Sequence, residues 1–496
     1  MLQELLGSSN FILLIDSYKF DHIFQIPGGP EARGYTYSTI VPRKPSKYSD
    51  VIVAMGQTFV AEILSTVRIT TEMIDEAEFE AHEQGYSFYR GKWEIIVAEF
   101  GGKLPIAMYG IEEGSIIKPQ TPICSFINTD DRFLFLPSNI ETWAQATVWK
   151  MSTVATNMRA SREIVKKWME FTGADMSMLD YKIHNFGDRG ADSPDEAPTL
   201  AGIAHGALFN GSDCTRANRA IRKLYKTKKT YLTSVEASEH STTTMNSDAA
   251  TKDDFGGARM VVDRLKAVVK RVKERGIGIP VMSGVIDTYD ARRWTEVYMG
   301  KILKDEIIAS GGVLVDRPDS GDPTVEPGLV GKGIEATFGL AGLTSTGHKI
   351  IHKQRGVLQG DGIKVETIDA VCKGWVDAGF SMDGFLLGEG GGITHGDAGG
   401  RDTFSFSQKA TAVMLDGKWR SLLKAPKTDS GKTSLSGVNI VQRDEEGNLN
   451  VVNCMTIEGK VDSVAFEDQD GWRLWSRDGE RKFQQSYDNV RERARA

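Results

Sequence analysis

The chain has 496 residues, 40% of them hydrophobic and 26% charged, with a net charge of −7. That balance suits a soluble globular protein of two or three domains, and it argues against a nucleic-acid binder working through a basic face. The four cysteines, Cys124, Cys214, Cys372 and Cys454, lie far apart with no C-x-x-C pair, so neither a zinc knuckle nor a disulfide framework is signalled and a reducing cytoplasm is the expected compartment.

The opening stretch MLQELLGSSNFILLID lacks a basic region, and its short apolar run FILLI reads as a buried strand rather than a signal peptide. No apolar run is long enough to span a bilayer, so no membrane partner is expected. RGYTYSTIVPR alternates like a strand, VAMGQTFVAEILS reads helical, and GKLPIAMYGIEEGSIIKPQTPICSFIN reads as turns and short strands. Residues 139–172 predict one long helix. From about 180 to 390, short apolar strands alternate with amphipathic helices. The strand candidates are YKIHNF (181–186), ALFNGS (207–212), TYLTSVEA (230–237), IPVMSGVI (279–286), GVLVD (312–316), GVLQGD (356–361) and GFLLG (384–388). The helices between them include GGARMVVDRLKAVVKRVKERG and ARRWTEVYMGKILKDEIIASGG, which begin after turn residues and end in glycine. Seven such units favour an irregular, closed or nearly closed parallel α/β barrel. After 400 the chain is again rich in strands and turns, with hairpins expected around DGKWRSLLKAPKTDSGKTSLSG and EEGNLNVVNC. The expected organisation is an N-terminal mixed α+β part over 1–150, a barrel over 151–400 and a strand-rich part over 401–496, the two ends packing together as a second mixed domain.

The polar clusters fall where the barrel strands end. NFGDRG follows the first, with Phe186 and Arg189; GSD the second, with Asp213; ASEHST the third, with Glu239 and His240; VIDTYD the fourth, with Asp287. RPDSG follows the fifth, with Arg317, Asp319 and Ser320; QGDG the sixth, with Gly360 and Asp361; GEGGG the seventh. PDSG alone reads as readily as a surface turn, but seven polar exits on one rim are the signature of a barrel active site. The glycine loops free backbone N–H groups for a phosphate at a helix N-terminus. Neither a P-loop nor a Rossmann fingerprint is present. Arg189, Arg317 and Arg401 suit phosphates, and Asp287, Asp319 and Asp361 suit ribose hydroxyls or a magnesium ion carried by phosphates. Together they predict a phosphosugar ligand with anionic groups at opposite ends.

These motifs, preceded by LIDSYKFDH (Asp16, Ser17, Tyr18, Lys19) and followed by GGRDTFSFSQK, resemble the nicotinamide phosphoribosyltransferase family, a branch of the type II phosphoribosyltransferases, over most of the chain. The resemblance implies a pentosyltransferase of NAD salvage. Its substrates are nicotinamide and phosphoribosyl pyrophosphate with magnesium, and its products are nicotinamide mononucleotide and pyrophosphate. It implies a homodimer with sites at the interface, and ATP as a coupling substrate that phosphorylates His240. By the same resemblance Phe186 stacks on one face of the pyridine ring and the second subunit's copy of Tyr18 on the other, beside Asp16. Asp213 accepts from the carboxamide, while Arg317 and Ser283 donate to it. Asp319, Gly360 and Asp361 hold the ribose. Gly391 and Gly392, with Arg401 and Lys409 from the second subunit, hold the 5′-phosphate, and Arg43, Arg189 and His240 face pyrophosphate.

A carboxylate at 213 favours nicotinamide over nicotinate, because it would face the acid's own charge. The alternatives are a relative using an acid, nicotinate or quinolinate, and a dimeric binding protein that has lost turnover. The sequence departs from the family at Asp188, where an aromatic is common, and at Glu389, which is expected to add negative charge beside the phosphate. It also departs in STTTMNS after His240 and in THGDAGG before Arg401.

Overall fold

The computed structural model describes residues 10–193, 196–393 and 399–496. All seven expected barrel strands are present: Ile183–Asn185, Gly211–Ser212, Glu236–Ala237, Val281–Val285, Val313–Arg317, Arg355–Gln359 and Phe385–Glu389. Their spatial order is second, first, seventh, sixth, fifth, fourth, third, every pair parallel. The two edges meet through a parallel bridge between Gly211 and Thr233. There Ser212 N donates to the Thr233 carbonyl at 3.0 Å, and Thr233 N donates to the Asn210 carbonyl at 2.8 Å. The curled sheet is thus drawn into a ring, and a ring of parallel strands presents all its C-terminal ends on one rim.

Two helices show how sequence fixes this layer. Phe255–Arg275 buries Val261, Val262, Leu265, Val268 and Val269, a stripe at helical spacing, and stops at Gly276 with φ 61°. Glu141–Thr172 runs 32 residues, buries Val148, Met151, Val154, Met158, Val165 and Met169, and stops at Gly173 with φ 65°. The segment expected as one helix over 291–312 is divided: Arg293–Ile302 winds wider, and Lys304–Ser310 continues as α-helix. At the join Leu303 N reaches back five residues to the Tyr298 carbonyl at 2.8 Å.

The second sheet is antiparallel and takes strands from both chain ends, in the order 418–421, 407–415, 34–41, 124–128, 106–110, 473–477, 480–481. The hairpins expected after 400 form as 407–415 with 418–421 and 439–443 with 449–453. No helix among the described residues is long and apolar enough to cross a membrane.

Three expectations are corrected. FILLI is not a strand: Phe11–Leu13 is a 3-10 turn, because Asn10 Oδ1 accepts from Ile12 N at 3.0 Å and caps it. In ALFNGS only Gly211–Ser212 is strand, since Ala207 and Leu208 complete the helix Glu196–Leu208. Neither glycine loop opens straight into an α-helix: GEGGG runs into the short turn Gly391–Ile393, and the helix after QGDG begins only at Ile368.

Candidate active site

The turn after the fifth strand is held by the strand beside it. Asp287 Oδ2 accepts from Asp319 N at 3.0 Å and from the Ser320 hydroxyl. RPDSG is therefore a clamped corner, not a free surface turn. His240 stands beside it, with Nε2 3.5 Å from Asp287 Oδ1 and 3.9 Å from Asp319 Oδ2. Its Nδ1 lies 3.2 Å from the Thr288 hydroxyl. The segment before His240 is pinned to the fourth strand: Ser238 N donates to the Ser283 carbonyl at 2.9 Å, and Val285 N donates to Ser238 Oγ at 3.0 Å.

Beside this corner the strand ends enclose a cavity of about 650 Å³ walled by Phe186, Arg189, Asp213, Arg317, Asp319, Gly360, Asp361 and Gly391, among others. Arg317 Nη2 donates to the Ser238 carbonyl at 2.7 Å, and its guanidinium lies 5.8 Å from the centre of the Phe186 ring. Asp213 Oδ1 accepts from Ser234 Oγ at 2.5 Å and meets His184 Nε2 at 2.9 Å. Burial works to raise the Asp213 carboxyl, but His184, then Ser234 and Arg317, outweigh it and hold it below the usual carboxylate range. Asp319 goes the other way, raised by burial against the pull of Arg317 and with the repulsion of Asp287. Burial lowers Arg317 in turn, yet a guanidinium with Asp319, Asp213 and Asp287 around it stays protonated at neutral pH. A Cβ on Gly360 would stand 2.5 Å from Asp319 Oδ1, so a larger residue there would displace the Asp319 carboxylate.

Some expected residues lie elsewhere. Ser283 lines a second cavity, of about 500 Å³, inside the barrel, where His184 and Ser234 also reach. Asp16, Tyr18, Arg43, Arg401 and Lys409 do not wall the barrel pocket. Tyr18 is 51% exposed. Asp16 accepts from Thr142 Oγ1 at 3.1 Å. Lys409 and Lys19 both bind Glu141, at 2.8 and 2.9 Å. Arg43 donates to the Ser405 carbonyl at 2.8 Å, and both burial and the charge of Arg401 depress it. Arg401 itself binds Asp402 at 2.8 Å. These residues form a cationic, aromatic-tipped surface made by the two chain ends.

The departures also resolve. Asp188 turns to Arg216, 3.4 Å away, at the edge of the pocket. Glu389 does not add the expected charge: it is 1% exposed, and burial, with Glu366 nearby, pushes its carboxyl up to about 8, so it is neutral at neutral pH. Of THGDAGG, residues 394–398 lie outside the described residues.

The sequence marks His184 as a strand residue that could face the barrel mouth, but not as the partner of Asp213, and it does not single out Ser234, Ser238 or Thr288. For Ser238 and Thr288 the available signal is a hydroxyl one or two places from an acidic or histidine strand exit; Ser234 carries no such signal.

The chain matches the Nicotinate phosphoribosyltransferase (NAPRTase) family over residues 181–469, and the Nicotinamide phosphoribosyltransferase, N-terminal domain over residues 10–108. It is 32% identical over 438 residues to a nicotinamide phosphoribosyltransferase of Xanthomonas campestris pv. campestris, covering 88% of each chain. It is 28% identical over 472 residues to one of Acinetobacter baylyi, covering 87% of this chain and 88% of that one. The crystal structure of nicotinate-nucleotide pyrophosphorylase from Pyrococcus furiosus shares the fold, with a TM-score of 0.58 at 14% identity over 99% of this chain and 95% of that one. With its ringed parallel sheet and acidic, arginine-bearing rim, the chain belongs to the nicotinate phosphoribosyltransferase family of type II phosphoribosyltransferases, and it is a pentosyltransferase.

Proposed function

We propose that the protein joins nicotinamide to phosphoribosyl pyrophosphate, giving nicotinamide mononucleotide and pyrophosphate in NAD biosynthesis. The observation that carries this is the state of Asp213: beside Phe186 and Arg317, the carboxyl is held ionised by His184 and Ser234. An ionised acceptor there receives the amide NH2 of nicotinamide and repels the carboxylate of nicotinate.

In the reaction the C1–O bond of the ribose breaks and its electron pair leaves with pyrophosphate, while the pyridine nitrogen forms the new bond to C1. That nitrogen carries no proton at neutral pH, so no general base is needed. The residues position the two reactants and neutralise the leaving group. Phe186 takes a ring face, Asp319, Gly360 and Asp361 the ribose hydroxyls, Gly391 and Gly392 the 5′-phosphate, and Arg189 the pyrophosphate. Magnesium arrives as part of the phosphoribosyl pyrophosphate substrate, with Asp287 beside the diphosphate. His240 is 45% exposed in its side chain, with Nδ1 against Thr288. This histidine takes a phosphoryl group from ATP, ADP leaving.

The chain-end surface completes a second copy's pocket. In a cytoplasmic homodimer, Tyr18 and Asp16 from one protomer close over the partner's pyridine, and Arg43, Arg401 and Lys409 add charge for its phosphates. The test is kcat/KM for nicotinamide and for nicotinate, with phosphoribosyl pyrophosphate and magnesium, read as pyrophosphate release. A preference for nicotinate defeats the amide reading, and no release with either substrate defeats catalysis.

A further inference from the structure

The seventh strand ends in Glu389, whose backbone carbonyl accepts from Phe186 N at 2.8 Å. Its side chain does not enter the pocket. It lies beneath the Gly390–Gly392 turn, where a Cβ on Gly392 would come within 3.2 Å of Glu389 Oε1 and 2.9 Å of Lys364 Cβ. Glu389 Oε2 is fully buried and has no hydrogen-bond partner among the described residues. A carboxylate in such a place is costly, whereas a carboxylic acid is tolerable. We infer that Glu389 is a positioning residue whose neutral acid form lets the Gly390–Gly392 turn hold the 5′-phosphate, and whose ionisation disfavours that phosphate. This inference rests on the phosphate role proposed above for the turn.

Charge supports the geometry. Burial, and after it Glu366, pushes the carboxyl up to about 8. The segment after the sixth strand also carries Asp361 and Lys364, and the neighbouring turn Gly187–Gly190 carries Asp188 and Arg189. Residues 394–398, with His395 and Asp397, lie outside the described residues. A dianionic phosphate on the turn adds a further negative neighbour, which favours the protonated form more strongly. The sign follows. Below about pH 8 the acid already carries its proton and phosphate affinity is flat with respect to this group. Above it, binding must take up a proton, and affinity falls about tenfold per pH unit.

The experiment uses the full chain and E389Q, which keeps the shape and cannot ionise. Ribose 5-phosphate binding is measured by calorimetry at pH 7 and 9, where the phosphate stays largely dianionic, in buffers of different ionisation heat. The KM for phosphoribosyl pyrophosphate is followed over the same range. The wild type should lose about tenfold in affinity from pH 7 to 9 and take up a proton on binding at pH 9, while E389Q shows neither effect. Equal pH ratios in the two proteins overturn the inference, as does a wild type without proton uptake. Should E389Q fail to fold, E389S, which is small and cannot ionise in this range, is read by the same ratio. Turnover with identical pH profiles sinks only the role of Glu389. Absence of pyrophosphate release sinks the transferase reading, while the calorimetry still decides Glu389.

Discussion

The barrel mouth and the chain-end surface carry the same kinds of side chain but use them differently. At the mouth the charged groups are fixed onto neighbouring strand ends: Asp287 clamps the Asp319 turn, Arg317 is anchored on the Ser238 carbonyl, and His184 and Ser234 brace Asp213. At the chain ends the cations rest on Glu141, Asp402 or backbone carbonyls, and Tyr18 points into solvent. The first is preorganised within one chain. The second is also held within its own chain, but none of its groups walls the barrel pocket, and in the proposed homodimer it faces a second copy's pocket. Damage to the mouth should therefore abolish chemistry in the chain that carries it, whereas damage to the chain ends should abolish chemistry in the neighbour.

The largest effect is expected at the mouth. Asp319→Ala or Arg317→Ala should lower kcat/KM about a thousandfold, the scale for removing a preorganised charge from a transition state. A loss under tenfold in a folded variant would mean that this corner is not where the reaction occurs.

Next comes the trans relation. Asp319→Ala and Arg401→Ala proteins, each weak alone, are co-expressed so that subunits mix. Random pairing makes half the dimers mixed, and each mixed dimer keeps one undamaged site of two, so activity should return to about a quarter of wild type. If the mixture is no better than its components, the two regions serve one protomer and the shared site is wrong.

This contrast also marks what the sequence could disclose. The strand exits are legible because short apolar runs end abruptly in Asp, Arg and Gly, and parallel strands must put those ends on one rim. Which exits touch was not legible. His184, Asp213 and Ser234 sit on or beside three strands, and only the strand order and the Gly211–Thr233 bridge bring them together. Nor was the charge of Glu389 legible, since a glutamate in a glycine loop looks solvated until the turn is seen to fold over it. FILLI failed for a local reason: apolar content suggested a strand, but the Asn10 side chain competes for the backbone and winds a turn.

A smaller effect tests the bracing of Asp213. Asp213→Asn keeps the shape and removes the charge. The preference for nicotinamide over nicotinate, as a ratio of kcat/KM values, should fall about 10- to 100-fold, in the range of 1–3 kcal/mol for a polar group left facing the wrong partner. His184→Gln should shift the same ratio in the same direction by less, because Ser234 remains bonded to the carboxylate. An unchanged ratio in both variants would place discrimination elsewhere in the pocket.

The smallest effect concerns the orientation of His240. Its ring is half exposed, and its Nδ1 partner is the Thr288 hydroxyl at 3.2 Å. A ring held by one such bond is steadied by about 1 kcal/mol, so Thr288→Ala should lower the ATP-dependent rate about fivefold while leaving the KM for nicotinamide unchanged. Thr288→Ser, which restores the hydroxyl, should recover most of it. The split matters because Thr288 is not among the residues walling the rim cavity. A rise in KM without a fall in rate would make it part of the pocket wall rather than the support of the histidine. His240→Ala should remove the ATP dependence entirely, whereas the ATP-independent reaction, which relies on Arg317 and Asp319, should persist at a lower rate.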